Sequence, residues 1–142
     1  MRIRPATPAD APALSRLFIQ LGYPTGNEAE LLPARLARIE ALGDACLVAE
    51  ADDGRVVGLA GLHLVHVLHH PKPLGYITAF VVDDTVRRQG VGRKLLDAAT
   101  EWARARGCYR LSLTSAEHRK DAHAFYPASG FPMTGRRFGR EL

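Results

Sequence analysis

Residues 87–93 read Arg87-Arg88-Gln89-Gly90-Val91-Gly92-Arg93 and connect an apolar segment to an amphipathic one. The apolar segment, residues 75–82, predicts a buried strand, and the amphipathic segment predicts a helix over residues 91–106. A further strand is predicted at residues 109–114. A strand, a helix and a strand in this order predict a right-handed crossover between parallel strands. The predicted apolar face of the helix consists of Val91, Leu95, Ala98, Trp102 and Ala105.

The rest of the chain predicts antiparallel strands before this unit and a short α/β segment after it. Asp53-Gly54 predicts a hairpin turn, because both residues tolerate positive φ. The remaining expected elements are a strand at residues 1–6, a helix from a cap at Thr7 or Asp10 to Leu21, a helix at 27–41, strands at 46–51 and 55–68, a helix at 120–128 and a last strand at 131–138. The predicted fold class is α/β: a mixed sheet, antiparallel in its first half, with a βαβ unit in its second half.

Length and composition predict one folded domain over residues 1–142. Of the 142 residues, 46% are apolar and 24% are charged, which is a common balance for a protein with one core. The N-terminus has no secretory apolar region, and no apolar run is long enough to span a bilayer. We therefore expect a cytoplasmic protein without a membrane partner. Cys46 and Cys108 lie in apolar surroundings and predict buried, reduced thiols.

The net charge of +4 predicts an anionic partner, either a phosphorylated cofactor or a nucleic acid. Basic residues are densest at residues 87–94 and 136–140. Neither cluster alternates with aromatic residues, as a surface that stacks on nucleobases would. The expectation is therefore a phosphorylated cofactor and no nucleic acid. A nucleic-acid-binding module is a third hypothesis, which predicts affinity that falls steeply with salt.

The segment at residues 87–93 has the properties of a diphosphate site. The first turn of a helix has N–H groups without internal partners and a partial positive charge. Glycines at 90 and 92 let an anion approach that backbone, and Arg87, Arg88 and Arg93 add positive charge. The spacing matches neither a Walker A loop nor a dinucleotide-binding fingerprint. The alternative is an ordinary helix start with two permissive glycines.

Three motifs carry a resemblance to a known family. The first, Phe80-Val81-Val82 followed by Arg87-x-x-Gly90-x-Gly92, is similar to the acetyl-CoA motif of the GNAT acetyltransferase superfamily. The second is Asp121-Ala122-His123-Ala124-Phe125-Tyr126 followed by Gly130-Phe131. The third is the opening Ile3-Arg4-Pro5-Ala6-Thr7-x-x-Asp10. The resemblance covers essentially the whole chain and implies an acyl-CoA N-acyltransferase fold.

The resemblance also implies roles for individual residues. Backbone N–H groups of residues 88–93 would bind the diphosphate of acetyl-CoA, and Phe80 and Val82 would pair with its pantetheine arm. The Val82 amide would polarise the thioester carbonyl, and Tyr126 would act as the general acid that protonates the departing thiolate. The implied cofactor-binding residues are Phe80, Val81, Val82, Arg87, Arg88, Gln89, Gly90, Val91, Gly92, Arg93 and Arg119.

The implied reaction is direct transfer of an acetyl group to a primary amine within a ternary complex. The acceptor would be a small molecule or a protein, no metal would take part, and the enzyme could form a homodimer. The sequence does not name the acceptor. Glu28 and Glu30 could bind a cationic acceptor, although the favoured alternative is that both lie on an exposed helix face.

Three positions depart from the family pattern. Thr78 stands where many relatives have a glutamate that acts as general base, so the base is unassigned. A base is needed because an alkylamine is mostly protonated at neutral pH. The possible substitutes are His63, His66, His69 and His70. Arg119 replaces an asparagine that contacts CoA in many relatives. Pro127 should kink or end its helix near Tyr126.

These departures leave a second hypothesis open. The chain would keep the fold and bind or sense acyl-CoA without catalysis, and Tyr126 would be a core residue whose hydroxyl has a backbone partner.

Overall fold

The computed structural model describes residues 1–116 and 119–142. The strands and α-helices, in chain order, are β1 (Arg2–Pro5), α1 (Ala11–Leu21), α2 (Leu32–Ala41), β2 (Ala45–Glu50), β3 (Val56–Val65), β4 (Leu74–Val82), α3 (Val91–Ala105), β5 (Arg110–Leu113) and α4 (Lys120–Ala128). Single 3₁₀ turns precede α1 (Pro8–Asp10) and α2 (Ala29–Leu31), and another follows β4 (Asp84–Val86).

The five strands form one mixed sheet in the order β1-β2-β3-β4-β5. Pairing is antiparallel from β1 to β4 and parallel between β4 and β5, which α3 connects. The predicted fold class, with an antiparallel first half and a βαβ second half, is confirmed. The predicted turn at Asp53-Gly54 joins β2 to β3, and Gly54 has a φ of +86° there.

Helices cover both faces of the sheet and create two cores. Leu14 and Leu17 of α1 and Leu36 of α2 pack with Leu59 on one face. On the other face, the buried residues of α3 after its first turn pack against Ala60, Leu62 and Ile77, and Val91 packs with Ala49 and Val57. The buried face of α3 is Val91, Leu95, Leu96, Ala99, Trp102 and Ala103.

This buried face corrects part of the sequence prediction. Ala105 is exposed and Ala98 is half-buried, whereas Leu96, Ala99 and Ala103 are buried. The wider stripe results because α3 lies across β3 and β4 and contacts β2 as well. A helix that crosses several strands buries a broader face than the narrow apolar stripe formed by residues three and four positions apart.

The predicted strand at residues 131–138 is wrong. These residues form no regular structure, and all but Phe131 are exposed. Pro132 has no N–H to donate to a ladder, and the segment has no alternating apolar face that burial would reward. The Phe131 amide instead donates to the Tyr126 carbonyl at 2.9 Å, as part of the end of α4.

Other boundaries shift by a few residues. Helix α2 starts at Leu32 after a 3₁₀ turn rather than at residue 27, because Pro33 fixes the first helical turn. Helix α4 has the predicted limits, with Pro127 in its last turn. Cys46 and Cys108 are free thiols. Among the described residues, no helix has the length and apolar character needed to cross a membrane.

An irregularity in β4 determines where its side chains point. Between the pairs Gly61–Ala79 and Leu62–Ile77 the register shifts, so Thr78 is an extra, bulged residue. A bulge reverses the alternation of side chains along the strand. Ile77 and Phe80 consequently pack on the α3 face, whereas Ala79 and Val81 pack on the α1 and α2 face.

A buried carboxylate anchors the chain where β4 ends. The Asp83 side chain is 4% exposed and accepts hydrogen bonds from the Thr85 amide at 3.0 Å and from the Arg16 guanidinium. Arg16 also donates to the Val56 carbonyl at 2.9 Å. Burial raises the pKa of Asp83, but the hydrogen bonds from Thr85 and Arg16 outweigh burial and lower that pKa to about 2. This group ties α1 and β3 to the segment that follows β4.

The bulge leads to a stability prediction for Gly61→Ala. A Cβ atom at Gly61 would lie 2.7 Å from Thr78 Oγ1, which is too close for an unshifted bulge. The substitution should lower the free energy of unfolding by roughly 1–3 kcal/mol. In the Thr78→Ala background the same substitution should cost much less, since the clashing atom is gone. Urea unfolding of the four proteins of this cycle measures both effects. An equal cost in both backgrounds would contradict the bulge geometry.

The Asp83 anchor leads to a pH prediction. A carboxylate whose pKa is lower in the folded state stabilises the fold above its unfolded pKa, and this stabilisation disappears as the pH falls through the folded pKa. Asp83→Asn should therefore lose at least about 2 kcal/mol at pH 7, and its deficit should shrink between pH 4 and pH 2. Glu101→Gln, at an exposed pair, is the control and should change little. A deficit independent of pH would contradict the assignment.

Candidate active site

The second half of β4 is unpaired on the side that faces β5. Parallel pairing joins only Leu74–Ile77 to Arg110–Leu113, although β4 continues to Val82. In the described part of the chain, no other strand covers residues 78–82 on that side. Backbone groups on that side lack a partner strand and can pair with an extended ligand, which would take the place of the missing strand.

A cavity of about 260 Å³ opens at this gap. Strand β4 contributes Thr78, Ala79 and Phe80 to its wall, and α4 contributes Tyr126. The opposite walls come from the end of α1 and the segment after β5. Further residues in contact with the cavity are Leu21, Gly22, Tyr23, Thr114, Ser115, Arg119 and Arg137.

An aromatic cluster fixes Tyr126 beside β4. The ring of Phe80 lies 6.1 Å from those of both Phe125 and Tyr126, and the last two rings are 5.4 Å apart in an edge-on arrangement. The bulge at Thr78 is the reason that Phe80 points to this face. Tyr126, predicted from the sequence as a catalytic residue, is thereby held at the cavity by the strand predicted to bind the cofactor.

The surroundings of Tyr126 keep its hydroxyl protonated. Burial raises the pKa of Tyr126 above its ordinary value, the positive charge of Arg119 opposes this rise, and Asp121 adds to it. A raised pKa means that the phenol carries its proton throughout the neutral range. The site therefore has a hydroxyl that can donate a proton but does not readily give one up to solvent.

The glycine segment forms a helix start with open amides. Gly90, the residue before α3, has a φ of +81°, and Arg88 has a φ of +63°, which is uncommon for a residue with a side chain. The first bond within the helix runs from the Lys94 amide to the Gly90 carbonyl at 3.2 Å. The amides of Val91, Gly92 and Arg93 precede that bond and have no partner within the helix.

Gly92 lies where a side chain would not fit without displacement. A Cβ atom there would be 3.1 Å from Phe125 Cζ and 3.6 Å from Val82 Cγ2. The start of α3, the end of β4 and α4 therefore meet at this glycine. The bare backbone and the positive end of α3 suit the oxygens of a diphosphate, so the residues present fit the phosphate group implied by the resemblance.

The polar side chains of the segment surround this start. Arg87 pairs with Asp84 at 2.7 Å and donates to the Val82 carbonyl at 3.4 Å, which fastens the loop to β4. Arg93 lies 3.6 Å from Asp97. The side chains of Arg88 and Gln89 are exposed.

The three valines among the predicted cofactor residues can contribute mainly backbone groups. Val81 and Val91 are 2% and 5% exposed and belong to the cores on the two faces of the sheet. Val82 is half-buried and packs with Val91. The sequence-predicted residues of β4 and the glycine segment thus lie in series, from the cavity at Phe80 to the open amides of α3.

Arg119 lies at the cavity and not at the glycine segment. Its guanidinium donates to the Leu21 carbonyl at the end of α1, at 3.0 Å. A contact between Arg119 and CoA stays a prediction from the resemblance.

The residues proposed as substitute bases lie elsewhere. His63 pairs with Asp44 at 2.8 Å, and His70 stacks on Tyr109 with their ring centroids 3.8 Å apart. None of His63, His66, His69, His70, Glu28 and Glu30 lines the cavity. Thr78, which stands at the glutamate position of the family pattern, does line it.

Several cavity residues were not predicted from the sequence. Thr114 and Ser115 follow β5, where the polar ends of a predicted strand could have indicated them. Tyr23 lies between the predicted helices that end at Leu21 and begin at residue 27, and no role was predicted for it. Arg137 was assigned to the wrongly predicted last strand, and no sequence signal distinguished it from Arg136 and Arg140.

Metal ligands are not clustered at this site. Within residues 1–116 and 119–142, no group of three or more His, Cys, Asp or Glu side chains is arranged to hold a metal ion.

Comparison with known proteins connects this geometry to a family. A family model described as acetyltransferase (GNAT) family matches residues 14–131. An aminoglycoside N(6')-acetyltransferase type 1 from Stenotrophomonas maltophilia is 36% identical over 137 residues, which cover 94% of this chain and 88% of the relative.

A further relative and a solved structure are also described as acetyltransferases. An aminoalkylphosphonate N-acetyltransferase from Salmonella typhimurium is 38% identical over 90 residues, which cover 63% of this chain and 58% of the relative. The solved structure of a putative acetyltransferase from Agrobacterium tumefaciens superposes with a TM-score of 0.88 at 29% identity, and the match covers 100% of both chains.

Proposed function

Because this chain belongs to the acetyltransferase (GNAT) family and is an acyltransferase, we propose that it transfers an acetyl group from acetyl-CoA to a primary amine in a ternary complex. One observation carries the proposal. The open amides at the start of α3, the unpaired edge of β4 and the hydroxyl of Tyr126 adjoin one another along a single strand.

The start of α3 would bind the diphosphate of the cofactor. The amides of Val91, Gly92 and Arg93 point away from the helix body, where a diphosphate can accept from them. Arg88 and Gln89 are exposed beside them, and the left-handed backbone at Arg88 and Gly90 shapes the loop. Arg87 would act by holding the loop against β4.

The open edge of Phe80-Val81-Val82 would bind the pantetheine arm through main-chain hydrogen bonds. Acetyl-CoA would supply the acetyl group as a reactive thioester. An amide of this edge, predicted from the sequence to be that of Val82, would donate to the carbonyl oxygen, where negative charge develops as the amine attacks. A fixed donor of this kind contributes roughly 3–4 kcal/mol to the transition state.

Tyr126 would donate a proton to the sulfur that leaves. The raised pKa of Tyr126 keeps the phenol protonated at neutral pH, and the aromatic cluster with Phe80 and Phe125 holds the ring beside β4. Because of this proton, the sulfur leaves as a neutral thiol, which is a better leaving group than the thiolate.

The proton of the attacking amine would leave through water and not through a carboxylate. Among the residues that the structure describes, the cavity wall has the hydroxyls of Thr78, Thr114 and Ser115 and no Asp, Glu or His. These hydroxyls can hold a water that accepts the proton. The absent glutamate at Thr78 is thus compatible with catalysis on amines that reach the site unprotonated.

Gly92→Glu should abolish the binding of coenzyme A. The new side chain collides with Phe125 and puts a negative charge at the open amides. Isothermal titration calorimetry with coenzyme A measures the effect. Gly139→Glu adds the same charge in an exposed segment where a Cβ meets nothing within 4 Å, and it should bind like the wild type. Retained affinity in a folded Gly92→Glu protein would refute the diphosphate site.

Tyr126→Phe should lower kcat by roughly a hundredfold or more, because only the proton donor is lost. The affinity for coenzyme A should stay unchanged, since the ring remains in the aromatic cluster. Initial rates of thiol release from acetyl-CoA give kcat, and calorimetry gives the affinity. Tyr109→Phe, at a tyrosine that stacks on His70 outside the cavity, is the matched control and should keep the wild-type rate. A wild-type rate in Tyr126→Phe would remove Tyr126 from the mechanism.

A further inference from the structure

The charge of the cavity wall carries information about the acceptor. Among the described residues in contact with the cavity, the charged ones are Arg119 and Arg137, and none is Asp, Glu, Lys or His. The remaining polar side chains are the hydroxyls of Tyr23, Thr78, Thr114, Ser115 and Tyr126. The described part of the wall therefore offers hydrogen-bond donors and positive charge.

Several carboxylates in the described part of the chain are engaged away from this wall. Asp44 pairs with His63, and Asp83 with Arg16. Glu28 accepts from the Gly26 amide at 3.4 Å. Asp121 influences Tyr126, although less than Arg119 does, and is not among the residues in contact with the cavity. A substrate with several ammonium groups would therefore meet two guanidinium groups, and no described side chain of the wall supplies a compensating negative charge.

The two arginines reach the cavity from different elements. Arg119 precedes α4 and is oriented by its hydrogen bond to the Leu21 carbonyl, which leaves further N–H groups of the guanidinium free. Arg137 lies in the exposed segment after α4. Guanidinium groups bind phosphate, phosphonate and carboxylate oxygens through paired hydrogen bonds, and such charge-assisted bonds are strong where water is displaced.

We propose that the acceptor is a small amine that carries an anionic group, a phosphate, phosphonate or carboxylate, and that Arg137 and Arg119 bind this group in the cavity. This inference rests on the proposed function and narrows its substrate class. It also assigns Arg119 to the acceptor, in place of the CoA contact that the resemblance implies. The primary amine at the other end of the acceptor would then face the thioester beside Phe80 and Tyr126.

A series of aminoethyl compounds tests the proposal, because its members share the aminoethyl group and differ only at the end remote from the nucleophilic amine. O-Phosphoethanolamine, 2-aminoethylphosphonate and β-alanine carry the three anions, ethanolamine is neutral at that end, and ethylenediamine is cationic. With the wild-type protein, kcat/KM for at least one anionic member should exceed that for ethanolamine by about tenfold or more, and ethylenediamine should be poorest. The ranking of the three anions identifies the group.

Variants of Arg137 connect the preference to the cavity. Arg137→Gln should reduce the ratio of kcat/KM for the preferred anionic amine to that for ethanolamine by about tenfold, and Arg137→Glu should favour ethylenediamine over the anionic amines. Arg140→Gln removes the same charge from the same exposed segment, outside the cavity wall, and should keep the wild-type ratio. The KM for acetyl-CoA should be unchanged by Arg137→Gln.

The outcomes separate this inference from the proposed function. If ethanolamine or ethylenediamine is acetylated as well as the anionic amines, the inference is wrong and the acetyltransferase remains. If Arg137→Gln raises the KM for acetyl-CoA and leaves the ratio between amines unchanged, the arginine serves the cofactor and the inference is again wrong. If no amine of this series or of a wider amine panel releases thiol from acetyl-CoA, the proposed function itself fails, and the inference fails with it.

Discussion

The separation of β4 from β5 beyond Ile77 is the constraint on which the site depends. Strand β5 is short and pairs with four residues of β4, and the bulge at Thr78 turns β4 just where that pairing stops. A regular parallel pair would have used the backbone groups of residues 78–82 within the sheet. The bulge also places Phe80 on the α3 face, where it holds Phe125 and Tyr126. One local irregularity thus opens the edge, forms the cavity and positions the proposed acid.

The remaining parts of the site follow from where β4 ends. Asp83 fixes the chain after Val82 through Arg16 and Thr85, and the left-handed Gly90 then starts α3. Gly92 allows α4 to approach that start closely. The result is a linear arrangement of about one strand's length, with the open amides of α3 at one end, an open edge in the middle and a cavity with a hydroxyl at the other. An elongated cofactor with a diphosphate and a thioester matches this arrangement.

The sequence predicted those features that depend on local patterns. The limits of α4, the hairpin at Gly54 and the crossover through α3 follow from periodicity, turn residues and strand order, which act over a few residues. The bulge at Thr78 was not predicted, although a glycine within a strand, Gly61, is the signal that accompanies it. The strand predicted at residues 131–138 does not form, because the segment has no alternating apolar face whose burial would stabilise it. The part of the cavity wall that contains Tyr23, Thr114 and Arg137 results from contacts between distant segments, which single-sequence patterns do not encode.

Amide hydrogen exchange, measured with and without coenzyme A, tests the central claim most directly. The open edge of β4 and the start of α3 should both gain protection from one ligand, because each has backbone donors without partners in the protein. We expect slowed exchange concentrated at residues 80–82 and 88–93. Saturating coenzyme A that leaves exchange in both segments unchanged, or protects a different face of the sheet, would contradict it.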